Sequence, residues 1–202
     1  VKLHMVDGRP VLLWRTRAPW LAISSAALGG GIGERSWVLN ATVPHDYDHP
    51  DPSAHLREIA ADLGAIGPGT GLLTAVDVRE VVHREDMGVV ASVTSGLGGM
   101  PTWAASEPAA AERVGTINAV CFLPVRLSEA ALVNAVATVA EAKAQALFEA
   151  GVEGTGTCTD ATVLLCPTTG PAEAYGGPRS TVGAPLARAV HAAIAAALPP
   201  VR

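Results

Sequence analysis

The sequence predicts an α+β, mixed α/β fold: one domain over residues 1–202, with a sheet of roughly six to eight strands packed by about three helices. Three observations carry this. Apolar, β-branched runs of strand length outnumber helical stretches and often follow one another directly, so the chain does not alternate one helix per strand. Three stretches combine helix start and stop residues with apolar positions four apart. Hydrophobic residues make up 49% of the 202 residues and charged ones 16%, enough apolar content for one sizeable core.

Taken in order, "PVLLWR" and "WLAISSA" read as two short strands around a turn near Ala18 and Pro19, and "SWVLNATVP" as a third. "DPSAHLREIAADLG" reads as a helix with Asp51 as N-cap, Pro52 at the first helical position and Gly64 at the C-terminal cap. "GTGLLTAV", "GVVASVTSGL" and "GTINAVCFLPV" are apolar and bounded by turn residues, as strands are. From Ser128 to about Ala150 the chain predicts its longest helix, capped by Ser128 and ended by Gly151. Leu132, Val136, Val139 and Leu147 form its apolar stripe, and alanines allow close packing on a sheet. "CTDATVLLCP" is then a strand. Gly183 to Leu198 closes the chain as a helix, with Leu186, Val190 and Ile194 four apart.

Composition excludes some functions. A net charge of −5 lacks the basic excess of a nucleic-acid surface. No apolar run reaches the length of a membrane span, and "VKLHMVDGRP" has no leader-like apolar core. Cys121, Cys158 and Cys166 are odd in number and lack CxxC spacing, which points to reduced thiols and a cytoplasmic setting.

Several stretches can carry chemistry. "GTGTCTD" sets Thr155, Thr157, Thr159 and Asp160 at the mouth of an apolar strand, where hydroxyls and a carboxylate are costly unless they bond to something. Either a tight turn or a ligand uses them. "SSAALGGGIGE" places Ser24 and Ser25 before glycines that include Gly30 and Gly31, either a flexible connection or a close backbone approach to a ligand; it is not a phosphate loop. Ser24 and Ser25 end a strand, as nucleophiles often do, but there is no GxSxG pattern. "HDYDHPDPSAH" holds His45, His49 and His55 among aspartates, a solvated loop rather than a metal site unless the ligands converge. Asn118, beside Thr116 on an apolar strand, needs a partner, in a turn or on a ligand. Lys143 lies on the stripe of Leu132, Val136 and Leu147, so it either snorkels to an edge or pairs with a carboxylate. Cys158 reads as a small buried side chain rather than a nucleophile.

Together, "ISSAALGGGIGE", "WVLNATVPHDYDHPDP", "GTGLLTA", "VGTINAV", "LSEAALVNAVATVAEAKAQAL", "GTGTCTDA" and "YGGPRSTVG" resemble, in order, the adenosylcobinamide amidohydrolase family of CbiZ-type corrinoid salvage enzymes. The likeness spans about residues 20 to 190, with one departure at "SGLGGMPTW". It implies hydrolysis of the amide joining aminopropanol to the corrin side chain, giving adenosylcobyric acid. The substrate is a corrinoid small molecule, its cobalt belongs to it, and no protein cofactor or metal is expected. Asp160 then serves as base for a water, Lys143 protonates the amine or polarises the carbonyl, and Asn118 with glycine-loop N–H groups holds the oxyanion, Thr157 joining the catalytic set; the variant is a threonine nucleophile freed by autoprocessing, which an intact mass showing one uncleaved, active chain would exclude. Ser24, Ser25, Gly30, Gly31, Asn40, Thr74, Thr116 and Thr159 are the expected substrate contacts. A guest so large needs an open cleft or the interface of a homo-oligomer. A non-catalytic corrinoid carrier is the alternative.

Overall fold

A computed structural model of the chain describes residues 1–98, 101–107 and 115–198. Gly99 and Met100 of the divergent "SGLGGMPTW" stretch lie outside the described residues. Among the described residues there are eight strands, β1 (Lys2–Val6), β2 (Arg9–Ser24), β3 (Gly31–Thr42), β4 (Gly69–Thr74), β5 (Val82–Asp86), β6 (Val89–Gly96), β7 (Thr116–Phe122) and β8 (Ala161–Cys166), and three α-helices, α1 (Pro52–Asp62), α2 (Glu129–Glu149) and α3 (Gly183–Ala197). All the strands join one sheet in the order β4-β3-β2-β8-β7-β6-β5, with β1 paired to β2. The β3–β4 and β7–β8 pairs are parallel and the others antiparallel.

The three helices begin where the sequence places them. The Asp51 carboxylate accepts from the Ala54 N–H at 2.8 Å and the Ser128 hydroxyl from the Ala131 N–H at 3.2 Å, each satisfying a donor that the helix itself leaves open. The strands differ in two respects. Ala18 and Pro19 do not turn the chain: β2 runs through them as one strand, and its register against β3 shifts between Arg15 and Trp20, which absorbs the missing proline N–H. Two hairpins add β1 and β5. Asp7 and Gly8, then Met87 and Gly88, all take positive φ, the conformation of a tight two-residue turn.

Alternation along the strands sorts the core. Ile117, Ala119 and Cys121 of β7, with Ala91 and Val93 of β6, pack outward beneath α2 and α3. Trp37, Leu39 and Ala41 of β3 pack outward against Leu56 and Ile59 of α1. The opposite, inner face holds Val38, Leu72, Val120 and Val163, but also a line of buried polar groups: Ser24, Asn40, Thr70, Thr74, Thr94 and Asn118. Asn40 of β3 donates to Thr94 of β6 at 3.0 Å, across three intervening strands in the sheet order. The sheet therefore curls on itself, and its inner polar line is what positions the site.

Candidate active site

Asp160 stands one residue before β8, where that strand pairs with β7. Its Oδ1 accepts from the Ile117 N–H at 2.8 Å and from the Thr157 hydroxyl at 2.5 Å. Its Oδ2 accepts from the Thr157 N–H at 3.0 Å and forms an ion pair with Lys143 of α2. The pair is mostly buried, with side-chain exposures of 19% for Lys143 and 14% for Asp160, so Lys143 does not snorkel. Two charges leave water here only because each has its partner. Gly156 makes the approach possible. A Cβ there would collide with Asp160 Oδ2 and sit 2.6 Å from Lys143 Nζ. Around this cluster, Thr159 donates to the Gly115 carbonyl at 2.7 Å, the Thr157 oxygen lies 2.7 Å from the same carbonyl, a rival to Asp160 for its single proton, and the Thr116 and Thr159 hydroxyls meet at 2.8 Å.

Thr116 and Thr159 also line a pocket of about 260 Å³, with Thr74 at the end of β4 and His45 and Tyr47 of the loop before α1. Val43, Pro44, Leu73 and Ala75 give it apolar walls. The Tyr47 hydroxyl lies 3.0 Å from His55 Nδ1, and the rings of Tyr47, His49 and His55 stack, fixing that wall to α1. Burial, and after it the Asp51 carboxylate, push the Tyr47 phenol above its ordinary range. Among the described residues, no three His, Cys, Asp or Glu side chains stand where they could hold one metal ion.

The fold thus gathers Thr157, Asp160 and Lys143 into direct contact, with Thr74, Thr116 and Thr159 beside them. Asn118 and Asn40 lie deeper. Asn118 Nδ2 donates to Asn40 Oδ1 and to the Leu73 carbonyl, both at 3.0 Å, so both its amide hydrogens are used inside the sheet, while its Oδ1 has no protein partner. Ser24, Ser25, Gly30 and Gly31 sit elsewhere, at the β2–β3 connection. Ser24 pairs with Thr70 at 3.0 Å and accepts from the Ala26 N–H, Ser25 accepts from the Thr162 N–H at 3.0 Å, and Gly31 pairs with Ser24. None of the four is among the pocket-lining residues. Cys158 is exposed, contrary to its reading as a buried side chain, because its neighbours Thr157 and Asp160 turn inward. Cys121 is fully buried, and burial pushes its thiol up to about 12. Sequence reasoning missed the Gly115 carbonyl, the Ile117 N–H and the tight packing of Gly156. Only the glycine within "GTGTCTD" gave a signal for the last.

A curled mixed sheet with a carboxylate–ammonium–hydroxyl cluster beside the threonines of a pocket wall is the build of a small-molecule hydrolase. The chain belongs to the family described as adenosylcobinamide amidohydrolase, whose family model matches residues 2–200. It is similar to the adenosylcobinamide amidohydrolase of Methanosarcina mazei, 33% identical over 183 residues, which cover 86% of this chain and 88% of that protein. It is also similar to the protein of the same description in Halobacterium salinarum, 31% identical over 197 residues, 90% of this chain and 80% of that protein.

Proposed function

We propose that this chain hydrolyses the amide linking aminopropanol to the corrin side chain of adenosylcobinamide, releasing adenosylcobyric acid for cobamide salvage and remodelling. The observation that carries the reading is the mostly buried Lys143–Asp160 pair held against the Thr157 hydroxyl, in a cluster whose neighbours Thr116 and Thr159 line a pocket that the three do not themselves line. Amide hydrolysis needs a base for the nucleophile, a positive group for the carbonyl oxygen and a proton for the leaving amine. Asp160 is the base and returns the proton to the amine. Lys143 polarises the carbonyl: among the described residues its ammonium bonds Asp160 alone, which leaves two of its three donors for the substrate. Family membership and the names of both relatives support the same substrate. Nothing supports the carrier alternative, which has no use for a buried ion pair beside a hydroxyl.

Drug-sized ligands fill roughly 300–1,000 Å³, and a corrinoid is larger than that. A pocket of about 260 Å³ therefore takes the amide end only. The macrocycle lies over the open mouth with its own cobalt, and a second copy of the chain in a homo-oligomer completes the cover. No helix among the described residues is long and apolar enough to cross a membrane. Three free thiols suit a reducing cytoplasm. The test is incubation with adenosylcobinamide and mass analysis of the products. A corrinoid acid together with free aminopropanol supports the reading, and unchanged corrinoid with bound amine at both short and long times overturns it.

A further inference from the structure

We infer that the nucleophile is the Thr157 hydroxyl and that the reaction passes through an ester between Thr157 and the corrinoid acyl group; this rests on the hydrolase reading above. The lone pairs of Asp160 carry it. An ionised carboxylate offers about four acceptor sites. On Asp160 each is taken: Ile117 N–H and Thr157 O–H on Oδ1, Thr157 N–H and the Lys143 ammonium on Oδ2. No site remains to orient and deprotonate a water. The one hydroxyl in line for Asp160 is that of Thr157, at 2.5 Å. The Gly115 carbonyl, 2.7 Å from the same oxygen, is the competing acceptor, but it also accepts from Thr159, and an ionised carboxylate accepts more strongly than a carbonyl.

The steps balance. Thr157 Oγ1 bonds to the amide carbon as its proton passes to Asp160 Oδ1, and the carbonyl electrons move onto the oxygen facing Lys143. That oxyanion collapses, the C–N bond breaks, and the amine nitrogen takes the proton from Asp160. With the amine gone, a water reaches the ester carbon through the vacated position. Its proton goes to Asp160 and then to Thr157 Oγ1 as the ester C–O bond breaks. The products are the corrinoid acid and the regenerated hydroxyl.

Hydroxylamine separates this route from direct attack by water. Added to the turning-over parent enzyme with adenosylcobinamide, it intercepts the ester: the product divides between corrinoid acid and corrinoid hydroxamate while aminopropanol release keeps its rate. Thr157→Ser retains turnover within about tenfold, and Thr157→Val loses more than a hundredfold and makes no hydroxamate, with substrate binding retained as read from the corrinoid's visible absorbance. Acid alone from the parent at high hydroxylamine, or Thr157→Val turning over within tenfold of the parent, overturns the inference. Should the valine variant not fold, the hydroxylamine result on the parent decides. A parent that releases no aminopropanol at all contradicts the hydrolase reading instead, which is a distinguishable outcome.

Discussion

Gly156 has no side chain because Lys143 and Asp160 meet where its Cβ would be. Gly156→Ala is therefore expected to push the pair apart and lower kcat by more than tenfold while the chain still folds, as turnover and a melting curve on the same preparation will check. Asp160→Asn has a double effect. It removes the base, and it leaves the Lys143 ammonium unpaired in a site about one-fifth exposed. Breaking a buried pair from one side costs about 3–5 kcal/mol, and the residual exposure here places the expected loss at about 3 kcal/mol in a denaturant titration. Turnover falls by more than a hundredfold. At this scale the sequence was informative about residue type and weak about geometry. Thr157 and Asp160 stand out because hydroxyls and a carboxylate precede an apolar strand. Lys143 stands out because it shares a stripe with leucines. That these two belong to each other was not legible, since 17 residues and a loop separate them. Ser24 and Ser25 raised the same chemical expectation, yet both satisfy neighbouring backbone and hydroxyl groups; a serine that pins a turn looks in sequence like one that awaits a ligand.

The elements carry their own tests. α2 brings Lys143 to Asp160, and its first turn is held by the Ser128 side chain. Ser128→Ala is expected to cost about 1 kcal/mol without altering the chemistry, seen as a lower denaturation midpoint with kcat unchanged. On the β5–β6 hairpin, His83 lies 2.8 Å from the Ser92 hydroxyl, and its partial burial lowers its pKa from 6.5. The unfolded chain thus takes up this proton at higher pH than the folded one. Above pH 6.5 both forms are neutral at His83 and the contribution is at its fullest. As pH falls through 6.5 towards the lowered folded value, the unfolded state gains protons first and stability declines. Melting temperatures between about pH 8 and 5 should fall less steeply for His83→Gln than for the parent. The helices were legible almost to the residue because caps and four-residue spacing are local signals. β1 and β5 were not. Met87 in a left-handed turn has no sequence signature, and β5, "VHRED", has no apolar alternation. The uninterrupted β2 was also missed, since proline in an antiparallel strand is tolerated at a register shift that only the partner strand reveals.

Across the whole molecule, the site exists because the sheet curls until β3 and β4 face β6 and β7. Asn40 and Asn118 bridge that closure, with the Thr94 hydroxyl at one end and the Leu73 carbonyl at the other. No residue pattern announces such a closure. The helix count and the rough size of the sheet could be read from the sequence, but the curvature that converts a polar line into a pocket wall is a property of all the strands together. A centre built on the Lys143–Asp160 pair leads to a further expectation: prolonged chelation leaves turnover on adenosylcobinamide intact, and loss of activity restored by zinc or manganese would count against that centre. The most direct measurement is product analysis of adenosylcobinamide incubated with the parent, Asp160→Asn and Lys143→Ala. The account predicts corrinoid acid and free aminopropanol from the parent and at least a hundredfold less from either folded variant. Near-normal product from both folded variants would contradict it.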